Sequence, residues 1–141
     1  MTVALRPLHD GDVDQVIALW DAAGLTRPWN DPRRDIDRAR AVWPELLLVA
    51  DDEGAVVGSV MAGYDGHRGW LYYLATDPRR RGEGIGRMLV AEAEARLIAL
   101  GCPKVMLMVR TGNDAVFDFY ASQGYSREST AVTGKRLIPD D

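Results

Sequence analysis

The spacing of hydrophobic and polar positions divides the chain into short strand-like runs and longer helical ones. Apolar residues recur at helical spacing after Asp10 and again after Gly84, so that one face of each segment is apolar. Short apolar or alternating runs between glycine-rich and acidic turns are typical of strands. The pattern predicts strands at residues 1–5, 46–50, 55–64, 70–76 and 104–109, and helices at 10–23, 32–42, 84–100 and 113–123.

The order of these elements predicts how the sheet is connected. Three strands over residues 46–76 follow one another without a helix, which indicates an antiparallel meander. The strand, helix and strand of residues 70–109 form a crossover, which joins parallel neighbours and is almost always right-handed. We therefore expect a single α+β (mixed α/β) domain over residues 1–141, with a mixed, mostly antiparallel sheet and helices on both faces. The extended region after Tyr125 is expected to add a strand or strands.

Composition excludes several classes of protein. The chain is 47% hydrophobic and 27% charged, which is close to the globular average and argues against disorder. Its net charge of −4 argues against a nucleic-acid partner, because such proteins carry a basic footprint. The longest apolar run, residues 46–50, is too short to cross a bilayer. With one cysteine and two distant histidines, we expect a cytoplasmic protein with no metal site and no membrane partner.

The loop between the fourth strand and the third helix carries the clearest chemistry. Gly82, Gly84 and Gly86 alternate there, which lets the backbone turn its amides toward one point at a helix N-terminus. Residues 79–81 and Arg87 add positive charge, so the segment predicts a site for a phosphate or pyrophosphate. The alternative is a solvated basic loop whose glycines serve as turn and cap.

The spacing of this loop departs from two common nucleotide-binding motifs. A Walker A loop ends in Gly-Lys-Ser/Thr, whereas this loop ends in Gly86, Arg87 and Met88. The dinucleotide fingerprint would place its third glycine at position 87 and an acidic residue after the next strand, where Arg110 stands. A nucleotide-binding enzyme is therefore the weakest of the interpretations that we keep open.

Two motifs in the chain resemble those of the GCN5-related N-acetyltransferase (GNAT) superfamily. The residues that fit its acetyl-CoA-binding motif, Gln/Arg-x-x-Gly-x-Gly/Ala, are Arg81, Gly84 and Gly86. The residues that fit its second motif are Asn113, Tyr120 and the Gly-Tyr pair at 124–125. Segments 27–32, 63–69 and 134–138 also resemble a small bacterial subgroup. The resemblance covers essentially the whole domain, and it implies the fold of the superfamily, with six or seven strands.

The resemblance implies an acetyl-CoA-dependent N-acetyltransferase, which passes the acetyl group to a primary amine by direct attack in a ternary complex. It implies a bulge that splays strand 70–76 from strand 104–109 and opens a slot for coenzyme A, with a backbone N–H of Leu74 or Ala75 stabilising the oxyanion. The residues expected to bind acetyl-CoA are Leu74, Ala75, Thr76, Arg81, Gly82, Glu83, Gly84, Ile85, Gly86, Arg87 and Asn113.

Tyr120 is the candidate catalytic residue. A phenol has a pKa of about 10, so it stays protonated at neutral pH and can act as the general acid for the departing thiolate. The alternative is a core or capping tyrosine on the last helix, and Asn113 can likewise cap that helix rather than contact the pantetheine. No general base is assigned, because Met108 stands where some members of the superfamily carry a glutamate.

Two loops are expected to bind the acceptor, a small-molecule or peptide amine. The candidate substrate-binding residues are Trp29, Asn30, Asp31, Tyr64, Asp65 and His67. Asp31 and Asp65 suit a cationic amine, and the ordinary pKa of His67 suits a base. A solvated turn residue is the alternative for His67, and a residue that pins the loop is the alternative for Trp29. The resemblance also allows a homodimer. A non-catalytic acyl-CoA-binding sensor or interaction module on the same fold is the alternative function.

Overall fold

One five-stranded sheet forms the centre of the computed structural model, which describes residues 2–141. The strands, which lie in chain order, are β1 (Val3–Pro7), β2 (Leu47–Asp52), β3 (Ala55–Tyr64), β4 (Gly69–Thr76) and β5 (Val105–Leu107). The first four pair antiparallel, and β4 pairs parallel with β5. The predicted meander and crossover are therefore confirmed. Residue 1 of the predicted first strand lies outside the described residues.

Helices cover both faces of the sheet. They are α1 (Val13–Ala22), α2 (Pro32–Val42), α3 (Ile85–Ala99) and α4 (Asp114–Ala121), with short 3-10 turns at Asp10–Asp12, Pro44–Leu46 and Pro78–Arg80. On one face, Trp20 of α1 and Ile36 of α2 are buried against the sheet. On the other face, Leu89 and Leu97 of α3 are buried, together with Tyr120 of α4. This arrangement confirms the predicted fold class. Within residues 2–141, no helix is both long and apolar enough to cross a membrane.

The first helix begins later than the sequence predicts, because Asp12 rather than Asp10 occupies its N-cap position. The Asp12 carboxylate makes no capping hydrogen bond to the helix; it accepts two hydrogen bonds from Arg6, at 2.7 and 3.0 Å. Asp12 is 7% exposed, and the Arg6 guanidinium holds its pKa below the usual value. The ion pair therefore joins the start of α1 to β1.

The predicted strand count is wrong, since residues 2–141 contain five strands rather than six or seven. β5 covers only part of the predicted 104–109, and residues 122–141, the C-terminal tail, contain no strand. Charged side chains of the tail find their partners elsewhere: Glu128 pairs with Lys104, and Asp140 with Arg38. The tail thus passes the start of β5 at Glu128 and reaches α2 at Asp140 without forming a strand.

Candidate active site

β4 contains a bulge near its centre. The register of β3 and β4 shifts by one residue between Ser59 and Met61, so that Tyr73 and Leu74 together lie opposite Val60. Tyr73 has φ 51°, a left-handed conformation that is uncommon for a residue other than glycine. An extra residue of this kind bends its strand and redirects the groups that follow it. The bulge implied by the family resemblance is therefore present in β4.

Side chains from three other elements hold Tyr73 in this conformation. Ser59 of β3 donates a hydrogen bond to the Tyr73 carbonyl at 2.9 Å, and Trp20 Nε1 of α1 donates to Ser59 Oγ at 2.8 Å. The Trp20 indole also stacks on the Tyr73 ring, with centroids 3.8 Å apart and planes 8° from parallel. The Tyr73 hydroxyl donates to Asp35 Oδ2 of α2 at 2.7 Å. Sequence reasoning missed this support, since it depends on contacts between distant segments.

β4 and β5 separate just before the bulge. Their parallel pairing covers Gly69 to Leu71 on β4 and Val105 to Leu107 on β5, and within residues 2–141 it extends no further. At Ala75 and Thr76, β4 is paired with β3 on its other side, as the matches Ser59 to Ala75 and Gly58 to Thr76 show. The edge of β4 that faces β5 is therefore open beyond the bulge, where the sequence predicts a slot.

The glycine loop leads from the open end of β4 into α3. Gly82 (φ 83°) and Gly84 (φ 81°) both adopt the left-handed conformation, and Gly84 is the N-cap of α3. In the part of the chain that the structure describes, the backbone amides of residues 82–87 donate no hydrogen bond; the Met88 amide is the first to do so, to Gly84. First-turn amides lie at the positive end of a helix dipole. The loop thus meets the requirements of an anion site.

Close packing places this loop beside both β4 and α4. A Cβ atom on Gly86 would lie 3.4 Å from Phe119 of α4 and 3.5 Å from Thr76 Oγ1 at the end of β4. The start of α3 therefore adjoins the open edge of β4 on one side and the helix that carries Tyr120 on the other. The structure brings the predicted cofactor-binding and catalytic segments together at this junction.

Arginine side chains around the loop differ in what they contact. Arg79 pairs with Asp77 at 2.9 Å, and Arg80 bridges Asp52 and Glu83, both at 2.9 Å. Pairing with Arg80 compensates the negative charge of Glu83, which would otherwise repel an anion. Among residues 2–141, Arg81 and Arg87 form no ion pair; Arg87 instead donates to Ser122 Oγ at 2.9 Å. The cations that remain for an anionic ligand are thus Arg81, which fits the sequence motif, and Arg87, which follows it in the first turn of α3.

Tyr120 lies at the wall of an open cleft. Its side chain is 7% exposed and packs edge to face against Phe119 and Tyr125. Burial raises the pKa of the Tyr120 hydroxyl to about 12. That hydroxyl has no hydrogen-bond partner within residues 2–141. Every fully buried side-chain polar atom of these residues has a partner, so the Tyr120 hydroxyl is not fully buried. Since Tyr120 lines the cleft, its hydroxyl is exposed to solvent there. The ring of Tyr120 is therefore part of the core, while its hydroxyl is available as a proton donor.

The cleft has a volume of about 1630 Å3 and follows the outer side of β5. Its walls are the end of α3, residues 102–111, α4 and residues 123–128 of the tail. The glycine loop and the bulge do not line it. The cleft therefore adjoins the opening between β4 and β5 without being the same space.

Asn113 occupies the N-cap position of α4, but its side chain makes no capping hydrogen bond. The side chain is exposed, so its amide is available to a ligand. The interpretation of Asn113 as a side-chain cap is thus wrong, whereas its contact with pantetheine stays a prediction.

The predicted acceptor-binding residues fall into two groups that no hydrogen bond within residues 2–141 connects. Asp31 caps α2 by accepting from the amides of Arg33 (2.9 Å) and Arg34 (3.4 Å). Asp65 shapes the β3–β4 hairpin by accepting from the amides of residues 67 and 68, both at 2.8 Å. These amides hold the pKa of the Asp65 carboxyl below its usual value. Both carboxylates therefore have a structural role.

The remaining members of these groups are more accessible. Trp29 is 55% exposed and does not pin its loop to the core, so that alternative is wrong. His67 is exposed in the hairpin, as its alternative as a solvated turn residue predicts, and the Tyr64 hydroxyl donates to Gly66 at 3.3 Å. Asn30 accepts from Arg136 of the C-terminal tail, a neighbour that no local sequence pattern indicates.

A model of the family described as "Acetyltransferase (GNAT) family" matches residues 15–125. The chain belongs to this family. An acetyltransferase of Yersinia enterocolitica is 50% identical over 136 residues, which cover 96% of each chain. The GNAT family and such relatives make the chain an acetyl-CoA-dependent N-acetyltransferase.

Solved structures agree with the GNAT fold. Ard1 from Thermoplasma volcanium aligns with a TM-score of 0.82 at 25% identity, covering 92% of this chain and 86% of that one. The NatC complex bound to Gag peptide and CoA aligns with a TM-score of 0.77 at 23% identity, covering 92% of this chain and 87% of that one. The second likeness concerns the fold alone.

Proposed function

We propose that residues 1–141 form one N-acetyltransferase domain that transfers the acetyl group of acetyl-CoA to a primary amine by direct attack in a ternary complex. The observation that carries this proposal is the opening of β4 from β5 at the bulge, directly beside the unpaired amides of the glycine loop. An elongated ligand with a diphosphate at one end and amide groups along its length fits such a junction.

The chain's residues divide the binding of acetyl-CoA between two segments. The amides of residues 82–86 hold the pyrophosphate at the N-terminus of α3, with Arg81 and Arg87 adding positive charge. The open edge of Leu74, Ala75 and Thr76 pairs with the pantetheine amides as a neighbouring strand would, and Asn113 contacts the same arm. These two segments together fix the thioester at the bulge.

Residues at the bulge and on α4 supply the catalytic groups. The backbone N–H of Leu74 or Ala75 donates to the thioester oxygen as negative charge develops there. When the neutral amine forms its bond to the acetyl carbon, the carbon–sulfur bond breaks, and Tyr120 gives its proton to the departing thiolate. The amine loses its own proton to solvent water. We assign no side chain as the base, since Met108 stands at the position of the glutamate that some members of the superfamily use.

The acceptor is a small-molecule or peptide amine that enters past the loop of Trp29, Asn30 and Asp31 and the hairpin of Tyr64, Asp65 and His67. The local hydrogen bonds of Asp31 and Asp65 make each of them a shaping residue in addition to a charge for a cationic amine.

Two measurements test the proposal together. Isothermal titration should show one acetyl-CoA bound per chain at micromolar concentration, and absence of binding would reject the proposal. Thiol release should then be followed with a panel of polyamines, amino acids, aminoglycosides and peptides with free N-termini. Binding of acetyl-CoA without release by any amine in the panel would favour the non-catalytic acyl-CoA sensor instead.

A further inference from the structure

The C-terminal tail ends on the loop that precedes α2. The Asp140 carboxylate accepts a hydrogen bond from the Asp31 amide at 2.8 Å and another from the Arg38 guanidinium at 2.6 Å. Its side chain is only 3% exposed, although it lies next to the last residue of the chain. The Arg38 side chain is half exposed, so solvent screens this ion pair mainly from the arginine side.

A second contact joins the same two segments. Arg136 donates to Asn30 Oδ1 and, at 3.2 Å, to the Ile138 carbonyl of the tail itself. Two consecutive residues of the candidate acceptor loop, Asn30 and Asp31, are therefore held by residues more than a hundred positions away in the chain.

Hydrogen bonds continue from Asp140 to the bulge of β4. Arg38, which binds Asp140, also pairs with Asp35 at 3.4 Å. Asp35 in turn accepts from the Tyr73 hydroxyl at 2.7 Å. The connected groups thus run from the acceptor loop through the tail and α2 to the residue whose backbone forms the bulge.

The charge state of Asp140 agrees with this geometry. Arg38, the Asp31 amide and nearby Arg136 lower the pKa of the Asp140 carboxyl to about 2, so it is ionised at neutral pH. Ordering a segment that contains no helix or strand costs conformational entropy. The contacts of Asp140 offset that cost at one particular place, the edge of the acceptor loop.

We propose that Asp140 is a positioning residue for the acceptor site: its carboxylate fixes the backbone of Asp31, beside the Asn30 side chain that Arg136 holds, in the conformation that receives the amine. The inference rests on the proposed function for the identity of that ligand. It assigns to Asp140 a role in acceptor selection and none in binding acetyl-CoA, since the side-chain partners of Asp140 lie in the acceptor loop and α2 and not in the glycine loop.

Hydrogen exchange measured by mass spectrometry tests the positioning without any acceptor. Asp140→Asn keeps the shape of the side chain but removes the charge that binds Arg38, and Asp140→Ala removes both contacts. Both variants should exchange the amides of residues 25–38 about tenfold faster than the unaltered chain, with Ala at least as fast as Asn. The control is Asp141→Asn, at an exposed neighbouring position, and it should leave exchange unchanged. Equal exchange in all four proteins would overturn the inference.

Steady-state kinetics test the link to the acceptor. With the amine identified by the panel, Asp140→Asn should raise the KM for that amine at least about fivefold, while the KM for acetyl-CoA stays within about twofold. An unchanged KM for the amine, or an equal rise for both substrates, would contradict a role at the acceptor site. If the unaltered chain fails to bind acetyl-CoA, the proposed function fails, and that result is separate from the exchange measurement.

Discussion

At the scale of single residues, Tyr120 and Tyr125 are two phenols in contact that differ in their hydrogen bonds. The Tyr125 hydroxyl donates to Glu94 at 2.7 Å, whereas the Tyr120 hydroxyl has no partner among residues 2–141. Burial raises the pKa values of both. Tyr125 is therefore the matched control for a test of Tyr120 as the proton donor.

We expect Tyr120→Phe to lower kcat about 100-fold with little change in the KM for acetyl-CoA, because only proton donation to the thiolate is lost. Tyr125→Phe should destabilise the fold by about 1 kcal/mol and leave kcat within about threefold. Because the pKa of Tyr120 is raised to about 12, its acid form persists as pH rises. Its titration should thus cause no fall in kcat between about pH 6 and pH 10. A rate unchanged in Tyr120→Phe would remove this residue from the mechanism.

The arginines around the glycine loop give a second comparison between similar residues. Arg87→Ala should weaken acetyl-CoA binding about fivefold, because the guanidinium has no acidic partner among residues 2–141 and is available to a phosphate. Arg79→Ala should change the affinity less than twofold, since Asp77 already holds its charge. Titration calorimetry at two salt concentrations measures both, and the difference should shrink at high salt. Equal losses in the two variants would indicate a general charge effect.

For single residues, the sequence predicted which side chains lie near the site better than what each side chain contacts. The glycine loop was accessible because its chemistry lies in consecutive residues. Asp31 and Asp65 were also selected, but their use as a helix cap and a turn acceptor depends on amides that only the folded backbone brings into range. Asp140 carries no local signal, because its partners are distant in the chain.

At the scale of elements, the bulge of β4 depends on a polar group in the core. Ser59 is fully buried, and its hydroxyl links the Trp20 indole to the Tyr73 carbonyl. Ser59→Ala should reduce the free energy of unfolding by about 1–3 kcal/mol, because it leaves both partners buried without a hydrogen bond. It should also lower kcat, since Tyr73 is then less firmly held beside the oxyanion N–H.

Urea unfolding and steady-state kinetics on the same samples measure both effects. Ser126→Ala, at an exposed position of the tail, is the matched control and should change neither. A loss of stability in Ser59→Ala without any loss of kcat would show that the bulge keeps its geometry without this hydroxyl.

Most elements were predictable because their signal is local. The helical period of α3 and the alternation of β3 and β4 follow from residues adjacent in the chain. The strands expected after Tyr125 did not form: a strand needs a paired neighbour, and the tail is held by side-chain ion pairs to Lys104 and Arg38. The bulge was expected from family resemblance alone, since the pattern of side chains does not reveal it.

At the scale of the whole molecule, the tail should respond to acid. Asp140 has a lowered pKa in the folded chain, so its contribution to stability is present above the ordinary carboxyl pKa and is lost as pH falls toward about 2. The urea midpoint of the unaltered chain should therefore decrease between about pH 4 and pH 2, and Asp140→Asn should show a smaller decrease. Asp12, whose pKa Arg6 also lowers, accounts for part of the slope that remains. Identical slopes of the urea midpoint against pH in the two proteins would mean that Asp140 forms no ion pair in solution.

The homodimer stays a prediction, for which sedimentation is the measurement.

Gly58 of β3 lies directly beneath the first turns of α3. A Cβ atom at this position would be 2.7 Å from Ile85 and 2.9 Å from Leu89, closer than carbon atoms approach. The absence of a side chain at Gly58 therefore allows α3 to pack this close to β3. Residue 58 thereby governs the position of the helix amides that we propose to bind the diphosphate, although it would touch no part of that ligand. A bulkier residue there would displace Ile85 and Leu89 at the base of the helix, so the proposed phosphate site depends on a position that does not itself contact the ligand.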